Sequence, residues 1–154
     1  IVSAEDMYNA VIKSAKDADI IIKAAAVADY RPSDVSDEKI KKKDGAPHLT
    51  ITLTETIDIL KNIAKMKQTG QYVVGFAAET NDLLENANRK LASKNADMII
   101  ANSVAGDAGA FGSDQNQVTI LQKNQTPIKL VRQSKAKIAN EIIELVSAKL
   151  KSGD

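Results

Sequence analysis

Residues 71–101 read QYVVGFAAETNDLLENANRKLASKNADMIIA, and this stretch decides the fold. Gln71 to Ala77 is a short apolar run of strand length that suits a strand buried in a sheet. From about Asn81 to Lys94 the apolar positions Leu83, Leu84, Ala87 and Leu91 recur at helical spacing instead. Asp97 to Ala101 returns to a short apolar run. Strand, helix and strand in that order predict a right-handed crossover between parallel strands.

The pattern extends in both directions. Upstream, Ser3 and Asp6 have capping-box spacing, and Met7, Ala10, Val11 and Ala15 then follow a helical period until Asp17. Asp19 to Ala26 (DIIIKAAA) reads as a strand buried on both faces, with Lys23 near an end or snorkelling. Val27 to Pro47 has no consistent period and predicts a long, mobile loop. His48 to Thr54 alternates like a strand with one wet face, and Thr56 is expected to cap a helix carrying Ile57, Leu60, Ile63 and Met66. Downstream, Gln117 to Leu121 and Ile128 to Val131 predict an antiparallel pair, and Ser134 opens a helix with Ile138, Ile142, Leu145 and Val146 inward. The expected fold is a single α/β domain over residues 1–154: three layers, Rossmann-like, with a mostly parallel sheet, helices on both faces and a late antiparallel hairpin.

Composition narrows the functional classes. With 154 residues, 44% hydrophobic and only 3% aromatic, the core must be Ile, Leu, Val and Ala packed between layers. Lys and Arg total 21 against 20 Asp and Glu, so no whole-molecule field favours nucleic acid, and aromatic residues for base stacking are scarce. There is no Cys, which removes disulfides, thiolate metal sites and a cysteine nucleophile and is compatible with the cytoplasm. One His rules out a multi-histidine metal site, and His48 beside Pro47 reads as incidental. No apolar run approaches the ~20 residues of a membrane helix. The chain opens at Ile1 without a Met, so a preceding segment is expected.

In open α/β sheets ligands bind beyond the carboxyl ends of the strands. Ala25 to Arg31 (AAVADYR) offers small side chains and then Asp29 and Arg31; a strand end with a surface ion pair is the alternative. Val74 to Thr80 (VGFAAET) offers Gly75 for close approach, Phe76 to enclose a ring, and Glu79 with Thr80 to start the next helix, whose amides suit an anion. A lone Phe in an apolar run is more often core, and that is the reading Phe76 has by itself. The loop Ala101 to Asn116 presents Asn102, Phe111, Ser113, Asp114 and Asn116, or is plain surface. Lys39, Lys41, Lys42 and Lys43 form either a solvated charge run or a mobile phosphate lid, and Lys90 and Lys94 share a helical face. No GxGxxG or Walker A pattern occurs. The residues by themselves lead to an α/β ligand-binding domain.

Taken in order, AAVADYRP (25–32), EKIKK (38–42), VVGFAAET (73–80), AN-x-V (101–104) and FGSD-x-N-x-VTIL (111–121) resemble the phosphopantothenate-cysteine ligase family. The resemblance implies amide formation between 4'-phosphopantothenate and L-cysteine, with CTP as co-substrate, an acyl-cytidylate intermediate, and release of CMP and pyrophosphate. It further implies Mg²⁺, a homodimer, and FMN only if a decarboxylase domain is fused upstream. By motif, Ala25, Asp29, Lys39, Phe76, Lys90 and Lys94 fall at nucleotide-contacting positions, with Lys39 catalytic as the lid lysine. Ile57, Asp58, Ile59 and Leu60 match a nucleotide-contacting turn in which Ile57 replaces a frequent Pro. The family's N-terminal Gly-rich portion has no counterpart here, so the 154-residue chain alone is expected to be inactive. A non-catalytic nucleotide- or partner-binding module is the alternative.

Overall fold

The computed structural model describes residues 1–42, 48–79, 81–103 and 113–152. A five-stranded sheet forms the centre, in the order β1 (Ile20–Lys23), β4 (Tyr72–Glu79), β5 (Met98–Ser103), β7 (Val118–Gln122), β8 (Ile128–Lys129). β1, β4 and β5 are parallel neighbours, and β7 alone runs against the rest. Two small ribbons stand apart: β2 (Tyr30–Pro32) with β3 (Leu53–Glu55), and β6 (Gln115–Asn116) with β9 (Gln133–Ser134).

Helices cover both faces, as the periodicity predicts. On one face α1 (Ala4–Ala15), α2 (Ile59–Met66) and α3 (Leu83–Lys94) gather over Val73, Ala77, Ile99 and Leu121. On the other, Ile138, Ile142 and Val146 of α4 (Lys135–Ser152) meet Val74, Met98, Ile100 and Ile120. Burying each of the Val, Ile, Leu and Met side chains among these contributes about 1.5–3 kcal/mol before chain entropy is counted. The capping box forms as expected: Ser3 Oγ accepts from the Asp6 amide at 3.1 Å, and Asp6 Oδ2 accepts from the Ser3 amide at 2.9 Å.

Several expectations change. β1 is the outer strand of the sheet, so it is only half-buried with Ile22 exposed, and it ends at Lys23 rather than Ala26. The Val27–Pro47 stretch contains β2, because Tyr30 to Pro32 pair with Leu53 to Glu55. The 48–54 alternation yields only the start of β3, and Leu49, Ile51 and Leu53 are all exposed; among the described residues no layer covers this segment to make one face dry. Asp58, not Thr56, caps α2 by accepting from the Lys61 amide at 3.0 Å. Thr56 ties segments together instead: its hydroxyl donates to the Ala28 carbonyl, and its amide donates to the Asp29 carbonyl at 2.8 Å. Ile57 and Met66 consequently lie outside the buried face of α2.

Candidate functional site

Strand direction gathers the candidates. Lys23, Phe76 to Glu79 and Ala101 to Ser103 all leave the sheet at the carboxyl edge of parallel strands. β1 stops at Lys23 opposite Gly75, whereas β4 runs on to Glu79. Beside that step lies a cavity of about 480 Å³, within the size range of small-molecule sites. Ala25, Asp29, Ile57, Asp58, Ile59, Leu60, Phe76, Lys90 and Lys94 line it. Residues separated by up to seventy positions therefore meet at one place, since the parallel strands and the N-terminus of α2 converge there.

Lys39 is not among the lining residues. It is exposed on the segment after β2, together with Lys41 and Lys42, while Lys43 lies outside the described residues. A neighbouring hollow of about 720 Å³ shares Ala26, Val27, Thr56 and Ile57 with the first but includes no lysine. The larger hollow is lined by one basic residue, Arg31, whereas Lys23, Lys90 and Lys94 together line the smaller cavity.

Each wall has a local cause. Asp58 caps α2 and also pairs with Lys94 of α3, which draws the two helices together at the cavity rim. Burial pushes the Asp58 carboxyl up, but the Lys94 ammonium, the Lys61 amide and the Lys23 charge outweigh it and hold the group below its ordinary value. Lys90 Nζ lies 2.8 Å from Glu79 Oε1. Glu79 is therefore the last residue of β4 and a counter-ion, rather than a helix start; α3 begins at Leu83. Gly75 makes room inside the protein instead of for a ligand, because a Cβ there would run into Leu60 Cδ2 and stand 3.0 Å from Ile99 Cδ1. Phe76 is 38% exposed, one residue beyond the end of β1, so it is a rim residue rather than core.

Lys23 is the site residue that sequence reasoning treated only as an inconvenience in a strand. Its Nζ donates to the Ala25 carbonyl at 2.9 Å. Burial lowers its proton affinity, the like charges of Lys94 and Lys90 lower it further, and Asp58 and Asp29 oppose them. The available signal was its position: a cation at the carboxyl end of an apolar run in a parallel sheet faces the ligand edge.

The third candidate loop is only partly within view, since residues 104–112, including Phe111, lie outside those described. Ser113 Oγ accepts from the Gln115 amide, Asn116 Oδ1 accepts from the Gln117 amide, and the Asp114 carbonyl accepts from the Lys135 amide. These groups shape the entry to α4 and do not line the cavity. Among the described residues no cluster of three or more His, Cys, Asp or Glu is placed to hold a metal ion, and no helix is long and apolar enough to cross a membrane.

The fold agrees with comparison to known proteins. The family described as DNA/pantothenate metabolism flavoprotein, C-terminal domain, matches residues 1–150. The chain belongs to this family. It is 44% identical over 146 residues to the coenzyme A biosynthesis bifunctional protein CoaBC of Bacillus subtilis (strain 168), covering 95% of this chain and 35% of that protein. The chain thus spans about a third of the length of the curated relatives it matches. A crystal structure of the C-terminal domain of CoaBC superposes with a TM-score of 0.76 at 38% identity, over 99% of this chain and 65% of that one. A Cab2 mutant in complex with phosphopantothenate-cysteine shares the fold, with a TM-score of 0.74 at 19% identity over 99% of this chain and 52% of that one.

Proposed function

We propose that this domain is the nucleotide-binding part of a phosphopantothenate-cysteine ligase of coenzyme A biosynthesis. The observation that carries the reading is the convergence of Ala25, Asp29, the Ile57–Leu60 turn, Phe76, Lys90 and Lys94 on one cavity with three lysines. In this reaction CTP activates the carboxylate of 4'-phosphopantothenate as an acyl-cytidylate, and the amine of L-cysteine then displaces CMP. Negative charge accumulates on the α-phosphate and on departing pyrophosphate, which is where fixed ammonium groups favour the transition state. Both nucleophiles belong to substrates, so the lack of Cys costs the protein nothing.

Phe76 encloses the base at the rim, the small side chains from Ala25 onward let the nucleotide approach the backbone, and Lys39 closes over the phosphates from its exposed segment. The carboxylates suit a Mg²⁺ that arrives on the triphosphate: Asp58 and Glu79 are committed to lysines, leaving Asp29 as the lining carboxylate without an ion pair among the described residues. Such an ion would neutralise phosphate charge. The same reading carries a cytoplasmic homodimer, with FMN only where a decarboxylase domain is fused.

The test is to incubate the full-length protein with phosphopantothenate and α-labelled CTP, omitting cysteine. A trapped cytidylate supports the first half-reaction; consumption of neither CTP nor ATP with any substrate combination sinks the reading. Lys39→Gln is expected to lower turnover at least tenfold with the fold intact, since its side chain is solvated, and unchanged turnover removes it from the site.

A further inference from the structure

The three lysines of the cavity are not equivalent. Lys90 and Lys94 both come from α3, and each already holds an internal carboxylate, Glu79 and Asp58 respectively. Lys23 comes from the opposite wall, at the end of β1, and among the described residues it is in ion-pair contact with no carboxylate. Its ammonium is satisfied by a neutral acceptor, the Ala25 carbonyl, at 2.9 Å.

The difference has an energetic consequence. An incoming anion at Lys90 or Lys94 has to share the ammonium with a carboxylate already bound there, or displace it, so part of its attraction is offset by that neighbouring negative charge. At Lys23 it exchanges a neutral carbonyl for an anion, and the ammonium is already partly withdrawn from water, so less hydration is lost on contact. Lys23 is tethered by a short strand at the edge of the sheet and needs only side-chain rotation to leave Ala25 for a group in the same cavity.

We propose that Lys23 is the primary anion anchor of the cavity, binding a phosphate oxygen of the nucleoside triphosphate directly, with Lys90 and Lys94 joining as their carboxylates let go. The inference rests on the nucleotide reading and adds to it a residue from the strand edge.

The experiment is calorimetric titration of the full-length protein with CTP, cytidine and inorganic tripolyphosphate, comparing wild type with Lys23→Met and Lys23→Arg. Lys23→Met is expected to weaken CTP and tripolyphosphate about tenfold at low salt, to leave cytidine within about twofold, and to flatten the salt dependence. Lys23→Arg, which keeps the charge, is expected to recover most of the loss and serves also if the Met variant folds poorly. Equal CTP affinity in wild type and Lys23→Met, or an equal loss for cytidine and CTP, overturns the anchor. A parallel titration with ATP separates the two readings: if the wild type binds tripolyphosphate through Lys23 but neither CTP nor ATP, the nucleotide reading fails while the anion anchor stands.

Discussion

The two ends of the central sheet use similar residue types for opposite purposes. At the amino end, Asp97 pairs with Lys67 and accepts from the Val73 amide at 2.8 Å, while Gln71 donates to the Ala15 and Ala18 carbonyls and accepts from the Gln68 amide. These polar groups are consumed by the chain itself. At the carboxyl end, Lys90 and Lys94 meet Glu79 and Asp58 at the border of an open cavity, and among the described residues Lys23 has only a carbonyl. Partly hydrated pairs of that kind contribute little to stability and exchange partners at small cost. The lesson is that closed polar contacts fasten this sheet, whereas open ones leave its other end available to a ligand.

The largest expected effect lies at the amino end. Asp97→Ala strips the Val73 amide and Lys67 of their shared acceptor and should cost about 2–3 kcal/mol in urea unfolding, with CTP affinity of the folded protein preserved. An unchanged midpoint would break the comparison. Next comes Gly75→Ala, which forces Leu60 from its seat on β4 and should cost about 1–2 kcal/mol; because Leu60 lines the cavity, this variant should also weaken CTP binding. Loss of stability without loss of binding would separate the core from the site more sharply than proposed here.

Smallest is Asp58→Asn, which retains an N-cap and should cost under about 1 kcal/mol near neutral pH. Against the effect of burial, the Asp58 carboxyl is held below its ordinary value in the folded protein by Lys94, the Lys61 amide and Lys23, so its stabilisation is present above the ordinary carboxylate value and is lost as the pH falls through the depressed one. The Asn variant should accordingly lose less stability than the wild type on acidification below about pH 5. Identical acid profiles would show that the Asp58–Lys94 contact has no thermodynamic weight.

The two regions also differ in how legible they are. β4, α3, β5 and α4 follow their apolar periods because each packs one defined face against a covered sheet, and Val73, Val74, Leu91 and Ile142 are buried where the pattern puts them. The 48–54 segment misleads for the same reason: among the described residues its alternation finds no layer to pack against, and only Leu53 to Thr54 of it join β3. Thr56 and Asp58 are both good caps in sequence, and the choice between them depends on Thr56 being taken by the Ala28 carbonyl, a partner from a distant segment. Candidate site residues were legible as ordered motifs, but Lys23 carries no motif of its own and was visible only through its place at a strand end.

Sequence by itself determined the layered α/β class, the alternation of strands and helices, the capping box at Ser3 and the segments worth weighing for chemistry, since these depend on contacts between near neighbours and on the period of apolar residues. Only the tertiary structure decided that β1 is an edge strand, that Gly75 accommodates Leu60, and that Glu79 and Asp58 hold two lysines while Lys23 remains without a carboxylate among the described residues. Those outcomes depend on which distant side chains share a few ångströms of space. That is set by strand order and register, which no local period encodes.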